Sequence, residues 1–421
     1  MEHVAPATLS THDHARQGGS NTFPMMIITL LFFMWGLITS LNDVLIPHLK
    51  SIYTLTYVQA MLVQFCFFGA YFIVSLPAGM LIKRLGYQRG AVAGLVVAAI
   101  GCAMFYPASM GGYALFLLAL FVLAGGITIL QVSANPYVAA LGAPATASSR
   151  LTLTQAFNSL GTAIAPALGG FLILSEGVPA VANIVKTKAE EAATVQGPYL
   201  VLAAALLAIA ILFALVRLPK IVDAEEASAY TLDKKVTSHR HLVLGAIGIF
   251  LYVGGEVSIG SFLINFLGES NIAGMSHGAA ANYVSFYWLG AMIGRFIGFG
   301  VMRYVSPGKA LAFNSAASIV LLLTAIFSHG ALAMWAVIAV GLFNSIMFPT
   351  IFSMALYKLG PLTSQGSGIL CMAIVGGALV PFAQGLLADT IGLQLSFFVP
   401  AACYTFILYY GLKYAGMYSS R

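Results

Sequence analysis

Charge is scarce in this chain. Only 8% of its 421 residues are Asp, Glu, Lys or Arg, while 60% are hydrophobic; a water-soluble domain carries about a quarter of its residues charged. A soluble globule is thereby excluded. Other absences narrow the class further. No GxxxxGK[ST] loop is present, so the chain lacks the phosphate cradle of an ATP-driven pump. The GxSxG nucleophile elbow is missing as well, and no enzymatic activity is expected. Cys66, Cys102, Cys371 and Cys403 all fall inside apolar runs without CxxC spacing, which argues against zinc and against a disulfide. His12, His14, His239 and His241 lie in polar stretches, and the remaining histidines are scattered, giving no metal set. Residues 1–22 have neither the basic start nor the apolar centre of a cleaved signal peptide and read as a cytoplasmic tail. No cofactor and no nucleic-acid partner are expected.

What is present is a succession of apolar runs of roughly 20 residues, the length that carries a helix across about 30 Å of hydrocarbon. Outer-membrane barrels use alternating strands of about ten residues instead. The chain therefore reads as an all-α membrane protein with the bilayer as its partner. Twelve spans are expected, at 23–49, 57–82, 91–108, 113–140, 151–175, 197–218, 242–268, 279–302, 308–328, 331–357, 365–388 and 393–413. With the N-terminus inside, sixteen of the 19 basic residues fall on the cytoplasmic side or the helix ends beside it, and only Lys50, Lys186 and Lys188 fall outside. Such asymmetry is the positive-inside pattern, so both termini are expected in the cytoplasm.

The charged stretch 217–241, "RLPKIVDAEEASAYTLDKKVTSHRH", separates spans six and seven. It divides the chain into a tail at 1–22, a six-helix bundle at 23–218, a cytoplasmic linker at 219–241 and a second bundle at 242–421. The halves echo each other: "ANPYVAALGAP" (134–144) and "MFPTIFSMALYKLGP" (347–361) both carry a proline inside the span and LG near its cytoplasmic end. A duplicated unit of this kind places a binding site near the bilayer midplane, between the repeats.

Most of the 13 acidic residues belong to tails, loops or span ends, which leaves Asp43 and Glu256. A carboxylate at a helix centre costs roughly 2.5 to 3.5 kcal/mol, so it faces water, holds a cation or takes a proton. Both are candidate cation-coupling groups. Asp43 lies 20 residues past Phe23, or about 30 Å of helix, so an interfacial position is the competing expectation for it. Around the acids stand neutral amides: Asn42, Gln131, Asn135, Gln155, Asn158 and Asn265. Each donates and accepts at once, which suits a polyhydroxylated ligand, and Trp288 or Phe348 offers a stacking face. Amides also serve as glue between membrane helices.

The stretches "LNDVLIP" (41–47), "PAGMLIKRLGYQRG" (77–90), "ANPYVAALGAP", "RLTLTQAFNSLG" (150–161) and "FPTIFSMALYKLG" (348–360) resemble the fucose:proton symporter family of the major facilitator superfamily. The resemblance implies a major facilitator fold, twelve transmembrane helices in two pseudo-symmetric six-helix bundles. It also implies uptake of a monosaccharide driven by a cation gradient, with H⁺ favoured over Na⁺. It assigns Asp43 and Asn42 to the acid and amide of helix 1, and Gln155 and Asn158 to the sugar-binding amides of helix 5. Departures exist: the fucose branch has Glu where this chain has Gln131, Gln where Glu256 stands, and Tyr in place of Phe348. "YVGGEVSIGSFLINF" (252–266) is closer to the glucose/galactose branch, bacterial inner-membrane carriers. A functional monomer carrying a hexose is the expectation. The alternatives are proton-coupled efflux of amphipathic drugs and fucose-type uptake.

Overall fold

The computed structural model describes residues 22–53, 57–169, 196–216, 218–219 and 236–417. Its helices are α1 (Thr22–Tyr53), α2 (Tyr57–Leu85), α3 (Tyr87–Gly111), α4 (Tyr113–Ala140), α5 (Ala147–Gly169), α6 (Gln196–Leu215), α7 (Arg240–Gly268), α8 (His277–Val301), α9 (Pro307–Phe327), α10 (Gly330–Asn344), α11 (Met347–Ala355), α12 (Thr363–Met372), α13 (Gly376–Ile391), α14 (Leu393–Ser396) and α15 (Phe398–Lys413). Within the described residues every expected span falls on helix, residues 170–175 of the fifth span and 217 of the sixth lying outside them; the last three are interrupted: α10 with α11, α12 with α13, and α14 with α15. Among the described residues nine stretches are long and apolar enough to cross a membrane, and Thr22–Ile38 and Tyr199–Leu215 are shorter apolar helices. Polar side chains dilute α5, which carries Arg150, Gln155 and Asn158. The expected tail at 1–22 lies outside the described residues save for Thr22, and so does the linker between 220 and 235.

In lipid, apolar faces gain little by meeting one another, so helices associate through small residues and hydrogen bonds. The first six helices follow this rule, α1 packing on α5, and α3 on α4 and α6. A Cβ on Gly36 would lie 1.9 Å from Asn158 O, and one on Gly101 2.4 Å from Leu123 N; the backbones touch where no side chain intervenes. Phe105 stacks on Tyr199 at 4.1 Å, binding α3 to α6. In the second group α7 packs on α11, α13 and α15, α8 on α10, and α9 on α10 and α15. The groups meet along two seams, α5 against α8 and α11, and α2 against α12 and α4 against α12. Single glycines form the connections at both ends of α3. Gly86 (φ 80°) and Gly112 (φ 88°) adopt left-handed backbone that other residues take at a cost.

α1 spans 32 residues, or about 48 Å at the rise of an α-helix, well beyond the hydrocarbon thickness. Asp43 stands 21 residues after Thr22 on it, and Glu256 stands 16 residues into the 29 of α7. Asn42 and Asp43 are therefore fixed on α1 by backbone, and their side chains lie outside the described residues.

A half-buried acid, orphaned amides and a proline-built seam

Prolines set the polar architecture. A proline has no N–H, so the carbonyl four residues earlier in its helix is left without its usual donor. Pro136 frees Val132 O, and the Ser367 hydroxyl of α12 donates to it at 2.9 Å. Pro349 frees Ser345 O, where the helix breaks between α10 and α11, and Arg295 Nε donates to it at 3.1 Å. Pro166 frees Thr162 O, which accepts from Ser40 Oγ of α1 at 3.2 Å. Each orphaned carbonyl is thus satisfied by a side chain from a different helix, and the first of these bonds joins the two halves.

Further bonds cross the seam at the same end of the molecule. Ser148 Oγ and Ser353 Oγ are 2.6 Å apart, and Ser149 Oγ donates to Phe299 O at 2.7 Å. Arg295 Nη1 reaches from α8 to α5, donating to Gln155 O at 3.5 Å and to Ser159 Oγ. Beyond this lock lies a cleft of about 360 Å³ lined by Pro136, Ala139, Ser353, Tyr357, Lys358 and Thr363 among others. It lies where the two LG-containing segments of the repeats face each other.

Glu256 projects from α7 one turn beyond Tyr252, whose hydroxyl donates to Glu256 Oε1 at 2.8 Å. Arg295, Tyr287 and Tyr404 are all within electrostatic reach of this carboxylate. The Asn344 amide donates to Tyr287 Oη at 2.6 Å. Tyr252, Tyr287, Tyr404 and Asn344 are buried. Phe348, one turn beyond Asn344, lies 6.4 Å from the Tyr252 ring and 5.6 Å from Phe352. The half-buried acid is thus walled by hydroxyls, an amide, a guanidinium and an aromatic face.

Of the amides singled out in the sequence, Gln131 and Asn135 share a face of α4 one turn apart, both buried. Gln131 Oε1, both polar atoms of Asn135, Gln155 Nε2 and Asn344 Oδ1 are buried without a hydrogen-bond partner. An orphan of this kind costs about 1 to 3 kcal/mol, and a native structure tolerates it where water, an ion or a ligand completes it. Asn158 is partly committed elsewhere, since its Nδ2 donates to Phe32 O at 3.0 Å and ties α5 to α1. Trp288 packs edge-on to Tyr287 at 5.1 Å and is 40% exposed; seven residues from Arg295, it shares that residue's face of α8. Asn265 departs from expectation. Nine residues past Glu256, it falls on the opposite face of α7 and is exposed, because nine steps of 100° make two and a half turns. The structure does not bring it to this cluster.

In the sequence Arg295 reads, with Arg84 and Arg303, either as a gate of the cytoplasmic side through contacts with helix ends or as an interfacial anchor; the structure sets it on the seam. The signal that marks its central place was available: a guanidinium inside an apolar run carries the same penalty as a carboxylate and calls for the same search for partners. Tyr287 and Tyr404 carried no comparable signal, as buried tyrosines are ordinary in helical bundles. Among the described residues no group of three His, Cys, Asp or Glu side chains forms a metal centre, and Cys102, Cys371 and Cys403 are buried thiols within helices.

Comparison with known proteins agrees with this architecture. The sequence model described as Major Facilitator Superfamily matches residues 28–370. The chain is 58% identical to the glucose/galactose transporter of Brucella abortus, over 97% of this chain and 98% of that protein. It is 35% identical to the L-fucose-proton symporter of Escherichia coli, covering 93% of each. The crystal structure of the transporter FucP in the outward conformation superposes with a TM-score of 0.86 at 34% identity, covering 94% of this chain and 99% of that one.

Proposed function

The chain belongs to the major facilitator superfamily, and from that premise we propose that it takes up a hexose, glucose or galactose, together with a cation by alternating access. It is a multi-pass membrane sugar transporter rather than an enzyme. The observation that carries the hexose reading is the set of orphaned amide atoms on Gln131, Asn135, Gln155 and Asn344, the last of them four residues before the ring of Phe348. Hydroxyls of a neutral sugar donate and accept and so complete such atoms; an amphipathic drug leaves them unpaired. Asn42 and Asn158 add hydrogen-bonding capacity on α1 and α5, and Trp288 adds a second ring. Asn265 has no part in this reading. The 58% identity to a transporter named for glucose and galactose favours hexose over fucose.

Asp43 and Glu256 are the groups proposed to bear the coupling cation, H⁺ or Na⁺. Binding of sugar and cation is then linked reciprocally: whatever factor the cation adds to sugar affinity, the sugar adds to cation affinity. With the basic end in the cytoplasm, the seam bonds close the inner side. The bacterial inner membrane is the proposed location, and the monomer the proposed working unit.

Uptake of labelled D-glucose, D-galactose and L-fucose into proteoliposomes, under an imposed pH or Na⁺ gradient, tests this. Gradient-dependent accumulation of glucose or galactose is expected, and the gradient that drives it identifies the ion. Accumulation of fucose alone would move the chain to the fucose branch. Absence of gradient-driven sugar accumulation, with extrusion of amphipathic cations in its place, would overturn the proposal in favour of efflux.

A further inference from the structure

One guanidinium lies between the half-buried acid and the closed seam. Arg295 Nε is held on Ser345 O, the carbonyl that Pro349 leaves free, and this anchor aims the fork of the side chain across the boundary. Nη1 then reaches the other half at Gln155 O and Ser159 Oγ. The same charge acts on Glu256, yet among the described residues Arg295 makes its hydrogen bonds to the seam while the carboxylate takes the Tyr252 hydroxyl. Two acceptor sets therefore compete for one cation: a neutral pair on α5, and a carboxylate whose attraction depends on whether a cation is bound to it.

We propose that Arg295 is the positioning residue through which the charge on Glu256 controls closure of the seam. A Glu256 neutralised by its coupling cation leaves the guanidinium on α5 and the basic end shut. An ionised, unloaded Glu256 draws the guanidinium toward α7, removes the α8 to α5 bonds and loosens that end. The titratable and charged neighbours of Glu256 among the described residues are Tyr252 on α7, Tyr287 and Arg295 on α8, and Tyr404 on α15. Three are phenols that remain neutral donors across the physiological range, so Arg295 is the one that answers a change of charge by moving. The inference rests on the reading of Glu256 as a cation-bearing acid and adds to it the route from that acid to the gate.

The test uses the full chain in lipid nanodiscs, its four cysteines replaced and one introduced by Ala139→Cys in the cleft at the basic end. Alkylation rates are measured at low and high pH, with and without Na⁺, and D-galactose binding is measured separately on the same samples. Loss of a charge-assisted bond across the seam changes its closed population by about tenfold, so alkylation is expected to be about that much faster with Glu256 unloaded. Glu256→Gln should give the slow rate at every cation concentration. Arg295→Gln should give the fast rate throughout. A merely structural role for Arg295 would speed alkylation and leave its cation dependence intact.

Arg295→Lys keeps the charge but cannot span Ser345 O and the α5 acceptors with one planar fork. It is expected to lose the dependence too, and it serves where Arg295→Gln does not reach the membrane. Retained cation dependence in either variant, or none in wild type, overturns the proposal. Normal sugar accumulation by Glu256→Gln would instead strike the underlying reading, so the two failures are distinguishable.

Discussion

The bond between Ser367 Oγ and Val132 O offers a sharp test of the proline-built seam. In the wild type Val132 O has no helical donor because residue 136 is proline, and Ser367 supplies one at 2.9 Å. Ser367→Ala should leave a buried carbonyl unsatisfied, at a cost of about 1 to 3 kcal/mol. Pro136→Ala restores the N–H within α4, so Val132 O is satisfied before Ser367 arrives. In that background Ser367→Ala should cost only the net value of a redundant hydrogen bond, about 0.5 to 1 kcal/mol. A double-mutant cycle then yields a coupling of about 1 to 2 kcal/mol, roughly a five- to thirtyfold non-additivity in the closed population. The readout is alkylation of a cysteine at Ala139, half-buried in the cleft beside the seam, measured for wild type, both single variants and the double. Additive effects within about 0.4 kcal/mol would refute the claim that the proline creates the acceptor that closes the seam.

Other expectations follow from the same geometry. Glu256→Gln should abolish uphill accumulation of galactose while preserving exchange of labelled for unlabelled sugar; wild-type accumulation ratios in proteoliposomes would remove the residue from coupling. Asn135 has both polar atoms unpaired, so Asn135→Leu should leave the thermal midpoint unchanged or raise it, yet weaken galactose binding by about three- to tenfold. Lost stability with unchanged affinity would make that amide structural. A Cβ on Gly368 would stand 2.8 Å from Ser75 O across the seam, and such overpacking costs about 1 to 3 kcal/mol. Gly368→Ala should therefore populate the state open at the basic end, seen as faster alkylation in the cleft, and unchanged rates would count against α2 and α12 as closing surfaces.

The membrane spans are legible because burial in lipid demands unbroken apolar runs, and within the described residues all twelve land on helix. Breaks within spans were less legible. Pro136 and Pro349 look equivalent in the sequence, yet α4 continues through Pro136 while the tenth span divides before Pro349. The difference lies in what meets the freed carbonyl, a hydroxyl from α12 in one case and a guanidinium from α8 in the other, and neither partner is near in sequence. Glu256 was legible from cost alone, as a charge in an apolar run. Asn265 lies apart from the acid because helical phase, not residue type, sets the face: nine residues from Glu256 is the far side of the helix. Arg295 is legible, with Arg84 and Arg303, as a gate of the cytoplasmic side or an anchor there; its partners are not, because Ser345 O, Gln155 O and Ser159 Oγ come from other helices.

The one-residue connections at Gly86 and Gly112 leave no slack between three consecutive helices. When α2 slides on α12, α3 and α4 are obliged to travel with it, as prongs of a single fork. Gln131 and Asn135 ride on the last prong, so displacement at the boundary between the halves is delivered to the amides themselves. Lengthening either connection by a few flexible residues would leave every side chain in place and sever that mechanical link.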